Sequence, residues 1–187
     1  MILATRNPHK LREFRRLLGD DLLEPLPDAV ELGPELGETF ADNALEKART
    51  AARATAVASI ADDSGIAAEA LDGGPGVRSA RFAGEQASDE QNLELLVARV
   101  PAGGRLSYVC ALAYVDPQSG LERIFEGRCE GRMAARRRGG GGFGYDPIFE
   151  IADGRTMAEL DDAEKDAISH RGAAVRALAA WLAAGRP

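Results

Sequence analysis

Lysine is scarce in this chain: of 23 basic residues only Lys10, Lys47 and Lys165 are lysine, and the rest are arginine. Each of the three therefore invites a specific reason, because a compact ammonium suits phosphate better than the planar fork of arginine does. Cysteine is nearly absent too. Cys110 and Cys129 have no CxxC spacing and the two histidines, His9 and His170, lie far apart in sequence, which argues against a structural zinc site. The cysteines flank a turn at Asp116–Gly120 but sit about three positions out of register for a hairpin, so free buried thiols in a reducing cytoplasm are expected. Aromatics make up 5% of residues, the net charge is -7 and the pI about 5.0, a balance that speaks against a nucleic-acid partner. No run approaches the roughly 20 apolar residues of a membrane span, and Glu13 does not fit a transit peptide, so no membrane role is expected. A GxxxxGK[ST] loop is missing. The literal GxGxxG at 139–144 is followed by Pro147 where a dinucleotide-binding helix would begin, so it is not read as one.

What is present fits one domain over residues 1–187, at the usual size for a single core. A short apolar strand, MILAT, precedes a helix marked by Leu11, Phe14 and Leu18 and closed by Gly19. Residues 21–37 read as a strand and a loop, and Thr39 with Asp42 caps an Ala-rich helix to about Thr55. Strands are expected at 56–62 and 66–71, before the turn-rich DGGPG. Ser88 and Gln91 cap a helix carrying Leu93, Leu96, Val97 and Val100. Two long antiparallel strands, 106–115 and 121–132, are joined at Asp116-Pro117; DPIFEI is a further strand, and Val175, Leu178, Ala179 and Leu182 mark the last helix. The alternation gives an α/β class with a mixed sheet. Arg132 and Arg136 to Arg138 read as a solvated face, and Trp181 as core or dimer packing.

Four polar segments fall where open α/β sheets place ligands, at strand ends. TRNPHK (Thr5, Arg6, Asn7, Pro8, His9, Lys10) offers a helix N-terminus and an ammonium, a pairing suited to phosphate. ADDSG sets two carboxylates side by side after an apolar run, and strand alternation should turn Asp62 and Asp63 to opposite faces. GGFGYDP brings Phe143, Gly144, Tyr145 and Asp146; EKDAISHRG brings Lys165, His170 and Arg171 around a helix start. Together they suggest a nucleotide bound with a metal ion.

TRNPHK, ELGETFADNALEKA, ADDSGI, GGPGVRSARFAGEQASDEQN, GGFGYDPIF and MAELDDAEKDAISHRGAA stand in the order seen in the inosine/xanthosine triphosphate pyrophosphatases, which this chain resembles from residue 1 to about residue 175. The resemblance implies an elongated central mixed sheet flanked by helices, two lobes with the active site in a cleft between them, a homodimer and Mg²⁺. It assigns Thr5 to Lys10, Ser64, Phe143 to Asp146, Lys165, His170 and Arg171 to the substrate, Glu35 and Asp63 to the metal, and proton acceptance to Asp63. Pro8 and His9 replace residues that are often smaller in this family, and Arg78 stands where an aromatic is frequent.

The chemistry implied is hydrolysis of ITP, dITP and XTP to the monophosphate and pyrophosphate. About four negative charges would enter an acidic protein, offset by Lys10, Lys165 and Mg²⁺. Asp63 would take the proton of the attacking water, with Asp62 as a supporting or second metal carboxylate. Donors such as Arg171 and His170 would favour the O6 acceptor of hypoxanthine and xanthine over the N6 amine of adenine. Phe143 would stack on the purine or pack in the core. Alternatives are a pyrophosphatase for other modified nucleotides and a non-catalytic nucleotide sensor.

Overall fold

The computed structural model describes residues 1–185. Six strands form one mixed sheet in the order β2-β1-β3-β4-β5-β6: β1 Ile2–Leu3, β2 Glu24–Pro25, β3 Ser59–Ala68, β4 Arg105–Val115, β5 Glu122–Met133 and β6 Phe149–Glu150. β1 runs parallel to β2 and to β3, whereas β5 and β6 are antiparallel. The helices are α1 Pro8–Leu18, α2 Phe40–Thr55, α3 Asp89–Arg99, α4 Asp162–Ile168 and α5 His170–Ala183. No helix among the described residues is long and apolar enough to cross a membrane.

The chain divides into two compact units. The first comprises Met1–Asp63, Cys110–Gly127 and Arg171–Pro187; the second comprises Ser64–Val109 and Arg128–His170. In the first, alternation along β4 sends Cys110, Leu112 and Tyr114 to one face and Ala111, Ala113 and Val115 to the other. The alanine face meets Ala44, Ala48, Ala51 and Ala52 of α2, whose spacing draws one stripe along the helix. The opposite face meets Phe14 of α1 and Ala174, Val175 and Leu178 of α5. Trp181 packs edge-on to Tyr114 at 5.1 Å, so it belongs to this core. The second unit has its own core, in which Leu93, Leu96 and Val100 meet Leu106, Tyr108, Met133 and Phe149.

Several expected boundaries shift. The strands expected at 56–62 and 66–71 are one, β3, because Ser64-Gly65 stay extended. Gly65 permits this: a Cβ there would strike Ser79 Oγ and lie 2.6 Å from Gly76 O. Ala56 forms the left-handed cap of α2 and Glu69–Leu71 turn into a 3₁₀ segment, which trims both ends. DPIFEI keeps only β6, since Asp146–Ile148, with Pro147 unable to donate a ladder bond, makes a 3₁₀ turn. α4 was not expected. The caps at Thr39/Asp42 and Ser88/Gln91 form as reciprocal boxes, and both cysteines are free and buried.

Candidate functional site

Each unit gathers one set of polar residues. In the first, β3 alternation separates the adjacent carboxylates. Asp62 follows Ile60 to the α1/α5 face, and Asp63 follows Ala61 to the α2 face. Asp62 is closed off from solvent, 3.0 Å from Lys10 Nζ and 3.3 Å from Arg171 Nη2, while Arg171 also donates to Glu13. Burial alone would raise the Asp62 carboxyl, but Lys10, Arg171 and Lys47 hold it well below the usual carboxylate range. It remains an anion.

Asp63 meets a different environment. Asn43 and Lys47, one turn apart on α2 and so on one face, both point at it. Asn43 Nδ2 donates to Oδ2 at 2.8 Å, and Lys47 Nζ lies 3.9 Å from Oδ1 and 2.5 Å from Glu35 Oε1. Burial pushes the Asp63 carboxyl up and Glu35 adds to this, against Lys47 and Asn43. Lys47 is raised in turn by Asp62, Glu35 and Asp63, which outweigh its own burial. An ammonium thus stands between two carboxylates on hard oxygen donors. Among the described residues no group of three or more His, Cys, Asp or Glu could hold a metal. Two carboxylates fit Mg²⁺ of the kind that takes its other ligands from water and phosphate.

The TRNPHK loop is more self-contained than its sequence suggests. Asn7 Oδ1 accepts from the N–H groups of His9 at 2.8 Å and Lys10 at 3.3 Å, with Pro8 at the first helical position, so two donors expected for phosphate already have a partner. Thr5 Oγ1 accepts from Asn7 N, and His9 Nδ1 pairs with Arg12. The Arg6 guanidinium donates to the carbonyls of Leu26, Pro27 and Val30, which ties down that loop.

The second unit holds the other set. Asp146 accepts from Lys165 Nζ at 2.7 Å, from Phe143 N at 2.9 Å and from Tyr108 Oη at 3.0 Å. Lys165 lies on α4 and its ammonium stands 5.1 Å from the centre of the half-buried Phe143 ring. Gly142 has φ +70° and a Cβ there would collide with the Asp146 carboxylate. His170 stacks on Tyr108 at 4.7 Å. Tyr145 is buried and donates to Ser79 O at 2.7 Å, and burial pushes its phenol above the usual range. Gly144 turns the chain at φ +59°, and Ser64 is half-buried on β3.

Sequence reasoning missed Asn43, Lys47 and Tyr108 as site neighbours. Lys47 carried one signal, since it was one of three lysines in an arginine-rich chain. Tyr108 carried none, because its alternation in β4 is that of any core residue.

In a fold of the α/β class, the buried carboxylate–ammonium clusters and the glycine-framed Lys165 are features that suit a phosphate-bearing ligand. The sequence profile of the Ham1 family matches residues 1–181, and the chain belongs to that family. It is 50% identical to the dITP/XTP pyrophosphatase of Symbiobacterium thermophilum, covering 97% of this chain and 92% of the relative. The dITP/XTP pyrophosphatase of Frankia alni is 48% identical, with 97% and 96% covered. The solved structure of a HAM1 protein from Coxiella burnetii superposes with a TM-score of 0.85 at 41% identity, covering 97% of both chains.

Proposed function

We propose that this protein hydrolyses non-standard purine nucleoside triphosphates, dITP, ITP, XTP and dXTP, to the monophosphate and pyrophosphate. The observation that carries the reading is Asp63, a buried carboxyl raised by burial and by Glu35, beside the Lys47 ammonium. The names of relatives at 48–50% identity support the substrate class.

Residues 1–187 act as one catalytic domain. Lys10 and Lys165 bind phosphate oxygens, and Thr5 to His9 shape the turn that presents Lys10. Arg6 does so by holding the 26–30 loop. Asp62, engaged by Lys10 and Arg171, orients Lys10. Asp63 accepts the proton of a water whose oxygen forms a bond to the α-phosphorus. The bridging bond breaks, and pyrophosphate leaves with the electron pair. Glu35 and Asp63 would hold Mg²⁺, which when bound supplies positive charge to the phosphates. Lys47 balances those carboxylates before it arrives. His170 and Arg171 favour an O6 acceptor, Phe143 offers a face to the purine, and Ser64, Gly144, Tyr145 and Asp146 shape the remaining contacts. A homodimer in a reducing cytoplasm, which its free thiols suit, completes the reading.

A nucleotide panel with a pyrophosphate readout tests it, run with Mg²⁺ and with chelator. ITP, dITP and XTP are expected to turn over at least about 10²-fold faster than GTP or ATP, and only with the metal. Faster release from another modified nucleotide would move the substrate class. Binding without pyrophosphate would make the protein a sensor. Sedimentation at micromolar concentration checks the dimer.

A further inference from the structure

We infer that Tyr108 is a positioning residue that fixes the ammonium of Lys165 through Asp146. The inference rests on the reading of Lys165 as a phosphate ligand but does not depend on it for its test. Tyr108 lies on β4 with only 6% of its surface exposed, and its ring is held on both faces. Phe149 stacks at 4.3 Å with planes 23° apart, and His170 at 4.7 Å with planes 13° apart. A ring clamped this way presents its hydroxyl at a fixed point, because only rotation of the O–H remains.

That hydroxyl donates to Asp146 Oδ1 at 3.0 Å. The other oxygen, Oδ2, receives Lys165 Nζ at 2.7 Å and Phe143 N at 2.9 Å. With one oxygen pinned by Tyr108 and the other by a backbone N–H, the carboxylate plane cannot rotate, and the ammonium is confined to one side of it. Gly142 closes the arrangement: a Cβ there would strike the carboxylate and lie 3.1 Å from Lys165 Nζ. Without the hydroxyl, Asp146 keeps its charge and its pair with Lys165 but loses the bond that sets its orientation. Lys165 then samples more positions, and a bound phosphate loses a preplaced partner.

Tyr108→Phe removes the hydroxyl and preserves the stacked ring, so folding is not at issue. The chain's three lysines make the position of one of them measurable. Trace acetylation of the native protein, followed by mass spectrometry, reports Lys10, Lys47 and Lys165 separately. In Tyr108→Phe, Lys165 is expected to acetylate about 3- to 10-fold faster while Lys10 and Lys47 keep the parent's rates, in line with a lost hydrogen bond to a charged group. With ITP as substrate, KM is expected to rise by a similar factor with kcat changing less than about 2-fold. In a Lys165→Met background the hydroxyl's removal should no longer change KM. Equal acetylation of Lys165 in parent and variant, or a rise shared by all three lysines, overturns the inference. So does a KM change that persists in the Lys165→Met background. If the parent does not turn over ITP, the proposed function fails, and acetylation still decides the role of Tyr108.

Discussion

At position 63 a carboxylate is kept where its charge is costly. Burial and Glu35 raise its pKa, and a carboxyl raised above its unfolded value destabilises the fold at neutral pH. The deficit is relieved as pH falls through the folded value. Asp63→Asn without metal is therefore expected to melt above the parent at pH 7, with the margin shrinking toward about pH 4, while kcat falls by about 10²- to 10⁴-fold. Its neighbour behaves oppositely. Asp62 is lowered by Lys10 and Arg171 despite burial, so it contributes stability above the unfolded pKa that is lost only as pH drops through its lower folded value. Asp62→Asn is expected to destabilise by about 3–5 kcal/mol at neutral pH, as when one partner of a buried pair is removed. Thermal melts of the two variants across pH check both signs; melting shifts in the same direction at pH 7 would contradict the assignment. Strand alternation made the opposite directions of these two side chains legible in the sequence. Their partners were not legible, because Lys47 and Arg171 arrive from helices whose rotation only packing sets.

α2 earns its place at the site through its first turn. Thr39 and Asp42 close a reciprocal cap, and Asn43 begins the face that carries Lys47. Thr39→Ala is expected to cost about 1 kcal/mol, read from denaturant midpoints. Gly142→Ala tests the second unit: the strained φ and the collision with Asp146 should raise KM for ITP without abolishing folding, and an unchanged KM would remove Gly142 from the frame. Caps and helical stripes were readable because they are local chemistry. The single run of β3 through Ser64-Gly65 was not, since it depends on Ser79 packing where a side chain at 65 would stand. α4 is seven residues long with no apolar stripe, and its one local signal is the capping box of Asp161 and Glu164.

The thiols report on the integrity of the whole molecule. Burial pushes Cys110 up to about 12 and Cys129 to about 11, and the reactive species is the thiolate. Neither should be alkylated by iodoacetamide at pH 8 in the native protein, and both should be in denaturant. Labelling of native Cys110 would show that the α1/α5 face opens. The α/β class and the family were legible because six separated segments hold their order. Two lobes were implied by the resemblance, but the points at which the chain divides were not legible, because three strands belong to both units. The chain passes between them at 63/64, 109/110, 127/128 and 170/171. Neither half can therefore be excised with one pair of cuts, and recombination cannot trade one for a foreign module. Asp63 and Lys165 have to be inherited together.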